Sequence, residues 1–150
     1  MSSPIENFAQ TTTDFLDALA LIPGNKRAIA PENEWSAAYV VHHVADGELH
    51  FAARYLHTLG SDNPTMVFFE EERYPEALFY AKRSVAKSLA SIVGIRGMVL
   101  EALSEVADKD WNRITTATNG EVFSLAQLVE RADGHLRTHT EQLRALAAAI

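Results

Sequence analysis

The run from Phe123 to Ile150 constrains this chain most. Taking Leu125 as the middle of a buried face, Val129, Ala132, Leu136, Leu143 and Ile150 recur on the same side at helical spacing. Two histidines, His135 and His139, fall inside that apolar stripe. Residues four apart stand one turn above each other, so the two imidazoles are placed to share one metal ion. The same spacing also suits ordinary core or surface histidines, and a third ligand on another helix is needed to decide.

Three further segments carry helical periodicity. The first opens at Pro4, repeats Ile5, Phe8, Phe15, Leu19 and Ile22, and stops at Pro23-Gly24. Residues 23–34, rich in Pro, Gly and Asn, read as a connection. The second helix starts near Trp35-Ser36, carries Ala37, Val40, Val41, Val44, Phe51 and Tyr55 on one stripe, and ends at Leu59-Gly60. Residues 61–74 read as a crossover loop long enough to travel back along a helix. The third helix is predicted from Pro75-Glu76 to about Asp108, on the spacing of Leu78, Ala81, Val85, Leu89, Ile92, Val99, Leu103 and Val106. Gly94 and Gly97 within it suggest a tight helix crossing or a bend. Asn119-Gly120 is a turn signal, and residues 113–118 and 121–123 around it could form a minimal hairpin. Four amphipathic helices without a convincing sheet predict an all-α, four-helix-bundle architecture, whose core is where facing helices build metal sites.

The chain's 150 residues, 47% hydrophobic, suit one domain with a sizeable core. A formal charge of −7 without a basic run gives no footprint for nucleic acid or an anionic membrane. The start Met1-Ser2-Ser3-Pro4 lacks a targeting pattern, and no stretch approaches a bilayer span, so the expected compartment is cytoplasmic. With no cysteine, metal ligands must be His, Asp, Glu or main chain, and a reactive thiol must come from outside. A phosphate-cradling glycine loop, a Gly-x-Ser-x-Gly elbow, His-Glu-x-x-His and the paired carboxylates of a di-iron bundle are all missing.

The second helix supplies the third ligand candidate. With Val44 at the centre of its stripe, His42 points to the opposite side and His43 lies on the flank beside Val40 and Gly47. His50 and His57 follow His43 at intervals of seven, about 10.5 Å apart along the axis, too far to share an ion, and are expected to be solvated. His43, His135 and His139 together make three neutral nitrogen ligands with open positions for water or substrate, the arrangement that lowers the pKa of bound water toward ~7. Because ligation needs neutral imidazoles, affinity is expected to fall below pH ~6.5. Three imidazoles suit zinc or nickel first, and iron or copper after them.

The residues Trp35-Ser36-Ala37-Ala38-Tyr39-Val40-Val41-His42-His43-Val44-Ala45-Asp46-Gly47-Glu48, followed far downstream by His135-Leu136-Arg137-Thr138-His139-Thr140-Glu141-Gln142-Leu143, resemble the DinB/YfiT-like family. Arg96 and Asp110-Trp111 also fall in familiar places. The resemblance covers nearly the whole chain. It implies a four-helix bundle with a long crossover between helices two and three, and a divalent metal on His43, His135 and His139. The family includes thiol-dependent transferases that use bacillithiol and mycothiol-dependent maleylpyruvate isomerases, and its members are often dimers. The resemblance therefore implies a metal-dependent transferase or hydrolase acting on a small molecule, with an external low-molecular-weight thiol as one co-substrate and a homodimer as the assembly. The alternative is a non-catalytic, stress-associated metal-binding protein.

Two charges interrupt apolar stripes. Glu48 falls among Val41, Val44, Phe51 and Tyr55, and Arg96 between Ile92 and Val99, so each should point inward, where pairing would relieve both. Such a pair either fixes helix register or serves catalysis, the former being the simpler reading. Gln142, one turn after His139, either orients a histidine or faces water. Arg54 and the run Glu70 to Glu72 either contact a polar substrate or belong to a solvated face.

Overall fold

A computed structural model describes residues 3–150; Met1 and Ser2, from the N-terminal segment read above for targeting signals, lie outside the described residues. Helix α1 (Pro4–Ala20) opens with a capping box in which Ser3 and Glu6 satisfy each other's backbone N–H groups. After it, Arg27 donates from Nε to the Ile22 carbonyl at 3.0 Å, tying the connection to the end of the helix. Ser36 caps α2 (Ala37–Gly60) through the Tyr39 N–H. The crossover then carries strand β1 (Thr65–Met66) and the one-turn helix α3 (Tyr74–Ala77). Ser84 caps α4 (Val85–Ser104), strands β2 (Ile114–Ala117) and β3 (Val122–Ser124) form a hairpin, and α5 (Leu125–Ala149) starts from a second capping box, Ser124 with Gln127.

The fold is a four-helix bundle of α1, α2, α4 and α5. α1 borders α5 and α4, and α2 borders the same two, which sets α1 and α2 across the diagonal. That arrangement puts α2 directly beside α5, so that the flank carrying His43 faces the helix carrying His135 and His139. Among the described residues no helix is long and apolar enough to cross a membrane.

Several sequence expectations need correction. The third long helix begins at Val85, not Pro75. After α3 the chain turns through Phe79 in the left-handed region (φ 55°), and Leu78 is 40% exposed, so its place in the helical spacing was fortuitous. The crossover consequently runs from residue 61 to 84. The helix also ends at Ser104, short of Asp108. Gly94 and Gly97 are exposed, and a Cβ at either would meet nothing within 4 Å, so neither marks a helix crossing. The last helix opens at Leu125, with Phe123 in β3. The hairpin forms around Asn119-Gly120, where Gly120 takes φ 90°. β1 pairs in parallel with β2, Thr65 opposite Thr116 and Met66 opposite Ala117, a contact invisible in a two-residue strand. Arg113 reinforces that junction by donating to the carbonyls of Thr58 and Ser61, both at 2.9 Å.

The core divides in two. One apolar cluster gathers Phe8, Phe51, Tyr55, Val99, Leu128 and Val129; the other gathers Phe15, Val41, Val44, Ile92, Leu136 and Leu143. Full burial of each such side chain stabilises by roughly 1.5 to 3 kcal/mol. Between the clusters runs a polar layer with one member from each long helix: Thr11, Glu48, Arg96 and Asp133, all at most 5% exposed. Arg96 donates from Nη1 to Glu48 Oε1 at 2.8 Å and from Nη2 to Asp133 Oδ1 at 3.0 Å, and Nη2 also reaches Thr11 Oγ1 and the Phe8 carbonyl. Its Nε donates to Thr12 Oγ1 at 2.6 Å, and its guanidinium lies 3.7 Å from the Phe8 ring centroid. Burial pushes the carboxyl groups of Glu48 and Asp133 up, against the pull of Arg96.

Breaking a buried pair by removing one partner strands the other charge and costs roughly 3 to 5 kcal/mol. Arg96→Met and Glu48→Gln should therefore each lower the unfolding free energy read from urea denaturation by an amount in that range, with a lower urea midpoint and the larger effect in Arg96→Met, which leaves two carboxylates without their cation. Midpoints equal to the parent's in both variants would contradict the layer's role.

Candidate metal centre

His43 on α2 and His135 and His139 on α5 meet at one place. Their ligand nitrogens all lie within 4.8 Å of one another. His43 Nε2 stands 2.9 Å from His135 Nε2, which stands 3.2 Å from His139 Nε2. Trp35 packs edge-on against His43 at 5.2 Å between centroids, and Phe51 lies 6.0 Å from His135. Gly47 permits the close approach of α2 to α5. A Cβ there would stand 3.2 Å from His135 Cε1, tighter than side chains normally pack.

The donor set fits a divalent cation. An amide oxygen only accepts, so the 2.8 Å contact of His139 Nδ1 with Gln142 Oε1 puts the proton of that ring on Nδ1 and leaves a lone pair on Nε2. Three Nε2 atoms turned toward each other cannot all be satisfied by sharing ring protons, whereas one cation satisfies three lone pairs at once. Burial lowers the pKa of all three. His43 falls to about 4, helped by His139, and His135 to about 3, helped by His139 and His43; for His139 the Gln142 contact and the Glu71 charge oppose the shift. The folded site thus holds neutral imidazoles well below pH 6.5, and proton competition for it moves to more acidic pH than the free side chain implies.

A cavity of about 310 Å³ opens beside His135. Its walls include Phe51 and Arg54 from α2, Leu128 and Arg131 from α5, and Phe69 and Glu71 from the crossover, which β1 pins in place. Glu71 Oε2 lies 3.8 Å from His43 Nε2. Of the acidic run, Glu71 reaches the site, while Glu70 pairs with Arg73 at the surface.

The other histidines behave differently. His57 is exposed. His50, expected in solvent, is half-buried, stacked on Phe69 at 3.8 Å and 5°, with Nε2 2.9 Å from the Tyr74 hydroxyl. His42, expected on the outer side, is fully buried with Nδ1 2.7 Å from Ser88 Oγ. The wheel failed there because the end of the crossover returns over the second face of α2: Tyr80 packs against His42 and donates to Asp46, and Arg83 grips the same carboxylate with two 2.8 Å bonds. Asp133 went unnoticed in the sequence although it carries the signal that exposed Glu48, a charge four residues after Val129 and three before Leu136 within an apolar stripe.

Residues 7–143 match the DinB superfamily. The chain belongs to that superfamily. No curated protein sequence is significantly similar to it. Among solved structures, YfiT from Bacillus subtilis, described as a probable metal-dependent hydrolase with an unusual four-helix bundle topology, superposes with a TM-score of 0.86 at 18% identity, covering 97% of this chain and 85% of that one. A mycothiol-dependent maleylpyruvate isomerase gives a TM-score of 0.72 at 14% identity over 93% of this chain, which spans 59% of the isomerase. These likenesses show the four-helix-bundle fold.

The depressed histidine pKa values have a consequence for stability. Below pH 6.5 an unfolded chain binds protons that the folded chain refuses, down to about pH 4 at His43 and about pH 3 at His135. Their contribution is fully present above pH 6.5 and is lost as pH falls toward 3. The urea midpoint of metal-free protein should therefore drop across that window, and the slope should flatten in the double variant His43→Ala/His135→Ala. An unchanged slope in the double variant would show that these rings are not held neutral by the fold.

Proposed function

We propose that the chain works as one domain, a metal-dependent enzyme in which His43, His135 and His139 hold a single divalent ion, zinc or nickel in preference to iron or copper, beside a cavity for a small electrophile. The observation that carries the reading is the convergence of three neutral Nε2 atoms on a site that opens into that cavity. A site built only to retain a metal has no use for an adjoining cavity, which favours turnover over a non-catalytic, stress-associated role. Bound there, the ion would polarise a substrate oxygen or sulfur and lower the pKa of water or of an external thiol.

The chain's own residues do the rest. Gln142 fixes the ring orientation and tautomer of His139. Gly47 lets the His135 ring sit against α2, and Phe51 and Trp35 pack the rings against rotation. Glu71, half-exposed at the mouth and 3.8 Å from His43 Nε2, is placed to take a proton from the attacking water or thiol. Phe51, Phe69 and Leu128 exclude water from the cavity wall. A chain without cysteine cannot supply a thiol itself, so thiol transfer needs a low-molecular-weight partner, while hydrolysis needs only water. The names of the two structural neighbours, one a hydrolase and one mycothiol-dependent, support keeping both reactions within the proposal.

Calorimetric titration of zinc into metal-free protein tests the ligand set. His43→Ala, His135→Ala and His139→Ala should each abolish or strongly weaken uptake, and Gln142→Ala should weaken it by about 10- to 100-fold, the usual effect of losing a group that orients a ligating histidine. His57→Ala, at an exposed position, should bind like the parent. Parent-like affinity in His43→Ala would defeat the assignment. With zinc-loaded parent, consumption of a test electrophile in buffer against buffer plus bacillithiol or mycothiol then separates hydrolysis from thiol transfer.

A further inference from the structure

Two guanidinium groups, Arg54 from α2 and Arg131 from α5, line the same cavity as His135. Among the described residues neither makes an ion pair with a carboxylate. Arg54 donates from Nη2 to the Val67 carbonyl at 3.2 Å and lies 5.4 Å from the Phe51 ring and 5.6 Å from the Phe69 ring. Arg131 sits 4.9 Å over Phe123. Burial and the nearby charge of Arg131 both loosen the proton of Arg54, so the two cations feel each other. Acidic residues are not scarce, with 20 against 13 basic ones, yet among the described residues none comes within ion-pair distance of either cation. Arg54 is half-buried and Arg131 exposed, so water screens the pair from outside, yet two like charges on one partly apolar wall still favour an anion that bridges them.

The cavity is polarised along its length. His43 meets His135 and His139, while Arg54, further along α2, lines the same cavity as Arg131, nearer the start of α5, so the two helices run antiparallel past it. Arg131 precedes His135 by one helical turn, about 6 Å along the axis. Phe51, Phe69 and Leu128 make an apolar wall, and the cavity's lining carboxylate, Glu71, stands at the imidazole end. We propose that the cavity binds a small organic acid, its carboxylate held by Arg54 and Arg131, its apolar body against Phe51, Phe69 and Leu128, and its other end presented to the three histidines. As a substrate assignment this rests on the metal-dependent reading above. Guanidinium groups match carboxylates in geometry as well as charge, and Glu71 repels an acid entering in the reverse sense.

Calorimetric titration of butyrate, hexanoate and 4-phenylbutyrate, each beside its neutral amide, into the metal-free full-length chain tests the acid site without its metal. At least one acid should bind, its amide should bind about tenfold or more weakly, and Arg54→Gln and Arg131→Gln should each weaken the acid by about tenfold, the equivalent of one charge-assisted hydrogen bond. Zinc uptake by both variants should equal the parent's. Failure of every acid to bind, amides that bind as well as acids, or acid affinity unchanged in both arginine variants would overturn the proposal. A parent that binds an acid through both arginines but takes up no zinc would overturn the metal reading and support the acid site.

Discussion

Arg96 holds the bundle in register. One guanidinium, fully buried, is bonded to Glu48 on α2, Asp133 on α5 and the Phe8 carbonyl and Thr11 on α1, so each long helix has one position from which it cannot slide without stranding a charge. Apolar surfaces tolerate small shifts, because burial depends on area and little on direction. A buried layer with one cation and two carboxylates does not, because its bonds hold only at about 3 Å. The site inherits that register. Glu48 lies five residues after His43 and Asp133 two before His135, so fixing both carboxylates on Arg96 also fixes the offset at which His43 meets His135.

The histidine cluster has an energetic cost that this scaffold absorbs. Three neutral rings pressed together by burial are stable only while they remain unprotonated. The crossover completes the site from outside: β1 pairs with β2, which brings Phe69 and Glu71 over the cavity, and Phe69 stacks on His50. A segment without a long helix thus supplies one wall of the cavity and its carboxylate.

Much of this was legible in the sequence because helical period is a strong signal. The four long helices, the inward placement of Glu48 and Arg96, and the meeting of His43 with His135 and His139 follow from residues that break or flank an apolar stripe. What was hidden depended on tertiary cover. His42 looked outward because a helical wheel assumes one buried face, and α2 has a second, covered by Tyr80 and Arg83. Leu78 and Ala81 continued the spacing of α4 by coincidence, and the left-handed turn at Phe79 has no glycine to announce it. The parallel pairing of β1 joins two residues to a strand some fifty positions away, which no local pattern encodes. Asp133 interrupts the stripe of α5 just as Glu48 interrupts that of α2, and is legible on the same ground.

Three imidazoles should hold one ion. X-ray absorption at the metal edge, combined with elemental analysis of untagged protein never exposed to a nickel column, addresses it most directly. The expected result is about one divalent ion per chain, coordinated by three imidazole nitrogens at about 2.0 to 2.1 Å. Protein that carries no stoichiometric metal even after zinc is supplied, or a first shell of oxygen alone, would contradict it.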